Sequence, residues 1–158
     1  MTRAFSTQPV DSELISQVVD LASRAPSAGK TQGWHALIIT SGDTAKFWND
    51  TLAVEKRESF RWKPLLDAPV IALVFADPVS YVGRYSEQDK AHTGLGVGAE
   101  AWPTPYWTVD ASFAAMDDAI AIARFGFSSS GATPTRATTA TAVVRWVLLT
   151  HLNKWRSQ

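Results

Sequence analysis

The 158-residue chain carries 15 Lys and Arg against 15 Asp and Glu, is 46% hydrophobic, and has seven Trp and no Cys, which excludes a disulfide scaffold, a thiolate metal site and a cysteine nucleophile. A single globular domain of this length buries roughly 68–70% of its unfolded surface without such staples, and the balanced charge excludes the basic excess of a general nucleic-acid binder. The polar residues Thr2, Arg3, Ser6, Thr7 and Gln8 form no signal-peptide core, and the longest apolar run, 68–76, is far short of the ~20 residues that span a bilayer. A cytoplasmic protein without a membrane span is expected.

Asp11 or Ser12 can cap a first helix, because Leu14, Ile15, Val18, Val19, Leu21 and Ala22 then recur on one face of a 3.6-residue period. Pro26 disfavours helical geometry at Ala25 and predicts an end near Arg24. After a loop at 25–33, the β-prone run 34–40 predicts a strand, and 43–52 a short helix capped by Ser41 or Asp43. The continuous apolar run 69–75 predicts a buried strand. Residues 77–108, punctuated by Pro78, Gly83, Gly94, Gly96, Gly98, Pro103 and Pro105, predict a long loop. Its Tyr81, Tyr85, Trp102, Tyr106 and Trp107 suit a lid or binding surface. Helical spacing returns at 110–123, interrupted by Asp117 and Asp118, and 143–152 is an apolar helix or strand.

The zero net charge hides an asymmetry. Residues 1–118 hold 10 basic and 15 acidic side chains, whereas 119–158 hold five basic ones and no acid, and 128–141 is almost wholly Ser, Thr, Ala and Gly. A seam therefore falls at Asp117, dividing 1–116 from 117–158.

Several motif-like runs lack the context their chemistry needs. Gly29-Lys30-Thr31 would need a glycine where Arg24 stands, and it follows a helix rather than the strand that opens a phosphate-binding loop. Gly94, Gly96 and Ala99 have dinucleotide-fingerprint spacing, yet polar 86–93 supplies no strand ahead of them. His35, His92 and His151 have no partners at metal-ligand spacing, and no Gly-x-Ser-x-Gly elbow occurs. Neither a metal centre nor a serine hydrolase is expected, and no side chain is assigned as catalytic acid, base or nucleophile.

What remains is Arg3-Ala4-Phe5, the first helix, and Ala25-Pro26-Ser27-Ala28-Gly29-Lys30-Thr31-Gln32-Gly33-Trp34 leading into a strand. This order and spacing resembles the FMN-dependent nitroreductase family, whose N-terminal signature is Arg-x-Phe, one helix, then Ala-Pro-Ser-x-x-Asn-x-Gln-Pro-Trp. Asp67-Ala68-Pro69-Val70 before a strand, and 105–115, resemble two later family segments, so the likeness covers 1–116. It implies an α+β fold with a mainly antiparallel central sheet between helical layers, and a homodimer with FMN at its interface. The implied activity passes hydride equivalents from NAD(P)H through the flavin to a nitroaromatic or quinone-like acceptor, with a deazaflavin as the alternative donor.

The resemblance places Arg3 beside flavin N1 and O2, where a cation stabilises the reduced ring. Ser27 and Gln32 match positions that hydrogen-bond the ribityl chain, phosphate or ring edge. Lys30 stands where the family has Asn and reaches the phosphate as a point charge. Trp102, Tyr106 and Trp107 either stack on a planar substrate or are ordinary core aromatics.

The family's opening basic residues would lie ahead of Met1, and its Gly-Leu-Gly turn, later strand and basic C-terminal segment have no counterpart after Met116. The fold is thus expected to be incomplete at its C-terminus. Residues 117–158 are expected to be a divergent basic tail, from an out-of-frame or truncated related gene, with a genuine anion-binding tail as the alternative. The alternative to an enzyme is a non-catalytic remnant or binding module of the same family.

Overall fold

The computed structural model describes residues 4–40 and 42–116, and the backbone of Val143–Val144. Arg3, Ser41 and the remainder of 117–158 lie outside the described residues, and with them the expectations for Arg3, for the end of the 110–123 helix and for the tail.

Helix α1 spans Ser12–Ala22. Asp11, in extended geometry, accepts the Glu13 amide at 2.9 Å, so Asp11 rather than Ser12 is the cap, a contact that contributes about 1 kcal/mol. The helix ends before Arg24: the Ser23 amide still makes a helical bond to the Val19 carbonyl, but the Arg24 and Ala25 amides tighten onto the Leu21 and Ala22 carbonyls, three residues back, at 3.0 and 3.1 Å. Its inner face buries Val18 and Ala22.

Strands β1 (Trp34–Ile39) and β2 (Ile71–Ala76) pair antiparallel, with register from Trp34 opposite Ala76 to Ile39 opposite Ile71. A two-residue strand β3, Val143–Val144, pairs parallel to β2 at Ile71 and Ala72. The sheet order is β1-β2-β3, so β2 is central. Its burial agrees: Ile71, Ala72, Val74 and Ala76 are all buried, whereas β1 turns His35 and Leu37 outward.

Between β1 and β2 lie α2 (Thr44–Thr51) and the single turn α3 (Val54–Arg57). Asp43 occupies the position ahead of α2, but its side chain makes no capping bond. Trp48 anchors α2 in the interior and meets Phe47 edge-on at 5.1 Å.

The long loop expected at 77–108 is corrected by the structure. Its first part is helix α4, Pro78–Tyr85, started by Asp77, whose carboxylate accepts the Val79 amide at 3.0 Å. Proline at the first helical position loses no intrahelical bond and arrives with helical φ. That start outweighs Gly83, which is solvent-exposed. Three short 3₁₀ turns follow, Ala91–Thr93, Leu95–Val97 and Ala99–Ala101. Helix α5, residues 106–116, begins four residues earlier than the expected start at Asp110, with the Pro105 carbonyl accepting the Thr108 amide at 2.9 Å.

Helix α5 packs its Ala111 and Ala115 on Val74 and Ala76 of β2, and its Ala114 on Ala22 and Ala25 at the end of α1, with Trp34 filling the gap between the two groups. Alanines at these contacts let helix and sheet approach closely. The outer side of α5 is also apolar, with Tyr106 42%, Phe113 48% and Met116 58% exposed. Among the described residues no helix is long and apolar enough to cross a membrane.

Candidate functional site

Ser27, Lys30 and Gln32, nominated from sequence, fall in one loop that runs from the end of α1 to β1. Ser27 is extended, Ala28–Lys30 forms a 3₁₀ turn, and the backbone is left-handed at Gly29 (φ 63°), Lys30 (φ 55°) and Gln32 (φ 51°). Glycine takes that conformation freely, but for Lys30 and Gln32 it costs about 1–2 kcal/mol each. Such strain persists only where surrounding contacts impose it.

Some of those contacts are internal. The Ser27 carbonyl accepts the Lys30 amide at 2.9 Å, and the Ser27 Oγ accepts the Gln32 amide at 2.9 Å. The Gln32 side-chain amide donates to the Ser23 carbonyl, which folds it back onto α1. Gln32 therefore closes the loop, while Lys30 extends into solvent and makes no ion pair among the described residues. Ser27 is half-buried, and its hydroxyl proton reaches no acceptor among the described residues.

The other contacts come from α4 and α5, which sequence reasoning did not nominate. Asp110, 4% exposed, places its Oδ2 2.7 Å from both the Ala28 amide and the Tyr81 hydroxyl, each donating to it. Arg84 donates from Nε to the Gly29 carbonyl at 3.1 Å. Its guanidinium is gripped on both Nη atoms by Asp89, at 2.7 and 2.8 Å, and by Glu87 at 2.9 Å. The hydrogen-bonded Asp89 carboxylate pushes the Arg84 pKa up, and Arg84 in turn holds Asp89 down to about 2. In sequence Asp110 stands at the start of the predicted helical pattern, where an acid is commonplace; only the earlier start of α5 at 106 places it inside the helix, and such a group is buried only with partners.

At the β1 end, Gly33 packs so closely that a Cβ there would lie 2.5 Å from the Tyr81 ring. The Gly33 carbonyl accepts the Asp77 amide at 2.9 Å. Asp77 also accepts the Ser80 hydroxyl at 2.5 Å and sits 3.6 Å from His35 Nε2, an ion pair when the imidazole is protonated. Burial raises the Asp77 pKa, but the Ser80 hydroxyl, the Val79 and Ser80 amides and His35 outweigh it and hold the carboxyl below its usual value.

Of the aromatic residues expected as a lid or binding surface, Tyr81 and Trp102 are buried, Tyr85 and Trp107 half-buried and Tyr106 exposed, and the five rings pack together as one group. Trp102 is 7% exposed and donates its indole N–H to the Leu95 carbonyl at 2.9 Å. Tyr85, Tyr81, Trp107 and Tyr106 surround it edge-on at 4.6, 5.8, 5.8 and 6.1 Å. The hydrogen bond and the mutual packing of these rings explain the burial, so of the two readings the core one describes Trp102. Tyr106 alone of the five rings is exposed.

Comparison with known proteins agrees with this architecture. The family model for the nitroreductase family matches residues 1–102. The chain belongs to that family. A nitroreductase-like protein from Streptococcus mutans superposes with TM-score 0.57 at 18% identity, covering 78% of this chain and 66% of that one. Nitroreductase CinD from Lactococcus lactis, solved with nicotinic acid, gives 0.56 at 21% identity, covering 78% and 64%. A candidate nitroreductase from Exiguobacterium sibiricum, solved with FMN, gives 0.55 at 21% identity, covering 76% and 63%. The fold is thus the nitroreductase α+β fold, and the chain spans about two thirds of the length of these solved relatives. Among curated protein sequences none matches.

Proposed function

We propose that this chain is a cytoplasmic FMN-dependent oxidoreductase that passes hydride equivalents from NAD(P)H to a nitroaromatic or quinone-like acceptor, working as a homodimer with residues 1–116 as its flavin-binding part. The observation that carries the reading is the fixed, strained loop at 27–32, which holds an exposed Lys30 without an ion pair beside the Ser27 hydroxyl. A cation and a hydroxyl donor on a preorganised turn fit the phosphate and ribityl end of FMN. Family membership, and a structural relative solved with FMN, support the same cofactor.

When bound, FMN supplies the two-electron chemistry, accepting hydride at its ring and delivering it to the acceptor. The protein's part is binding and electrostatics. Lys30 would hold the phosphate, Ser27 would donate to phosphate or ribityl oxygens, and Gln32 would keep the loop closed through its bond to Ser23. Arg3, outside the described residues, is assigned to the ring edge that becomes negative on reduction. No side chain is required as acid, base or nucleophile.

The test is colour and turnover. Purified protein that is yellow, shows flavin absorbance and reduces a nitroaromatic with NADH or NADPH supports the enzyme. Colourless protein that takes up no added FMN supports the second reading, a non-catalytic binding module of the same family.

A further inference from the structure

The loop at 27–33 is held partly by its own Ser27 contacts and partly by groups that come from far along the chain. Two peptides of the loop, 27–28 and 29–30, are pinned from outside. The Ala28 N–H is taken by Asp110 Oδ2, and the Gly29 carbonyl by Arg84. Asp110 is the more demanding of the two anchors, because it is a carboxylate almost wholly removed from water, and a single oxygen of it receives two donors. Hydrogen bonds to an ionised acceptor in such surroundings are strong when made and expensive to leave unmade. Tyr81, fully buried on α4, aims that oxygen.

We propose that Asp110 is a positioning residue for the candidate flavin loop: its Oδ2, oriented by the Tyr81 hydroxyl, fixes the Ala28 amide and thereby the backbone at 29–32 that presents Lys30 and Ser27. Its meaning for binding rests on the FMN reading above; its meaning for loop geometry does not. The carboxylate acts through the loop and through no contact with a ligand.

The test compares the full chain with Asp110→Ala, Asp110→Asn and Tyr81→Phe by two measurements. The first needs no flavin: trypsin cleavage after Lys30, read by mass spectrometry as a ratio to cleavage after Lys46, an exposed lysine on α2 that reports general unfolding. The second is FMN affinity from quenching of flavin fluorescence. Removal of both hydrogen bonds in Asp110→Ala raises the Lys30-to-Lys46 ratio and weakens FMN, each by about tenfold or more. Asparagine, whose amide oxygen can occupy the Oδ2 position, recovers most of both effects, and Tyr81→Phe falls between. A Lys30-to-Lys46 ratio that stays the same in every variant overturns the proposal, as does an asparagine variant no better than alanine. Should Asp110→Ala fail to fold, the other two variants still decide. Wild-type protein that binds no FMN sinks the flavin reading alone, and the cleavage ratio continues to test the anchor.

Discussion

Tyr81 and Asp110, on α4 and α5, meet through a 2.7 Å hydrogen bond inside the protein, and the phenol is the donor. Burial, and then the hydrogen-bonded Asp110 carboxylate, push the Tyr81 pKa far above the usual tyrosine value. The folded state thus requires a neutral phenol at this position.

A raised pKa stabilises fully below the unfolded value of about 10 and ceases to do so as pH rises beyond it, because the unfolded chain then loses a proton that the folded chain retains. Tyr81→Phe should lower stability at pH 7 by about 1–3 kcal/mol. It should also flatten the decline in urea midpoint above pH 10 by one proton. Equal slopes in the two proteins would refute the assignment.

Gly33→Ala should destabilise by about 1–3 kcal/mol, through overpacking. Its new methyl would lie 2.5 Å from the Tyr81 ring and 3.0 Å from the Asp77 carbonyl, and neither can retreat. Gly29→Ala meets Tyr85 at 2.7 Å and must hold φ at +63°, but Tyr85 is only half-buried and can shift, so the backbone cost of about 1–2 kcal/mol dominates. Denaturant titration of the two variants checks both.

Trp102→Ala should cost about 3–5 kcal/mol, the range for removing a large buried ring. Tyr106→Ala should cost less than about 1 kcal/mol, because the ring is 42% exposed. Thermal melts decide; a mild Trp102→Ala with strongly altered acceptor specificity would restore the lid reading.

Asp89, held to about 2 by the Arg84 guanidinium, stabilises above the ordinary carboxyl value of about 3.9 and loses that contribution as pH falls through about 2. Asp89→Asn should remove part of the fall in melting temperature between pH 4 and 2. Identical acid limbs would show that the pair contributes nothing in solution.

Lys30→Gln should weaken FMN by about two- to fivefold at low salt and less at high salt, as for an exposed ion pair. Riboflavin, which lacks the phosphate, should bind both proteins equally. A matching loss for riboflavin would mean that Lys30 acts on loop shape rather than on charge.

How far the sequence revealed this molecule can be judged residue by residue. The two main strands and α1 were visible because their patterns are local: apolar spacing, an Asp cap, a proline stop. The Ser27, Lys30 and Gln32 loop was visible as a motif, but that Gln32 points back to Ser23 was not, since it depends on the left-handed turn between them. Helix α4 is obscured in the sequence by Pro78 and Gly83, both of which read as breakers, although Asp77-Pro78 is a helix-start signal. Asp110 and Arg84 were missed for a different reason. Their partners in the loop lie 82 and 55 residues away, and no periodicity reports contacts at that range.

The Ala28 to Asp110 bond spans 82 residues, which also bears on the order of folding. Contacts between distant segments form only after the intervening chain has been organised. During synthesis the loop leaves the ribosome long before α5 exists to receive it, so α1 and the β1–β2 pair can form while residues 27–32 still sample many shapes. The candidate site would then be completed last, and pulsed hydrogen exchange during refolding should find the Ala28 amide protected later than the amides of β1 and β2. A loop assembled in this way inherits its shape from the finished fold instead of guiding it.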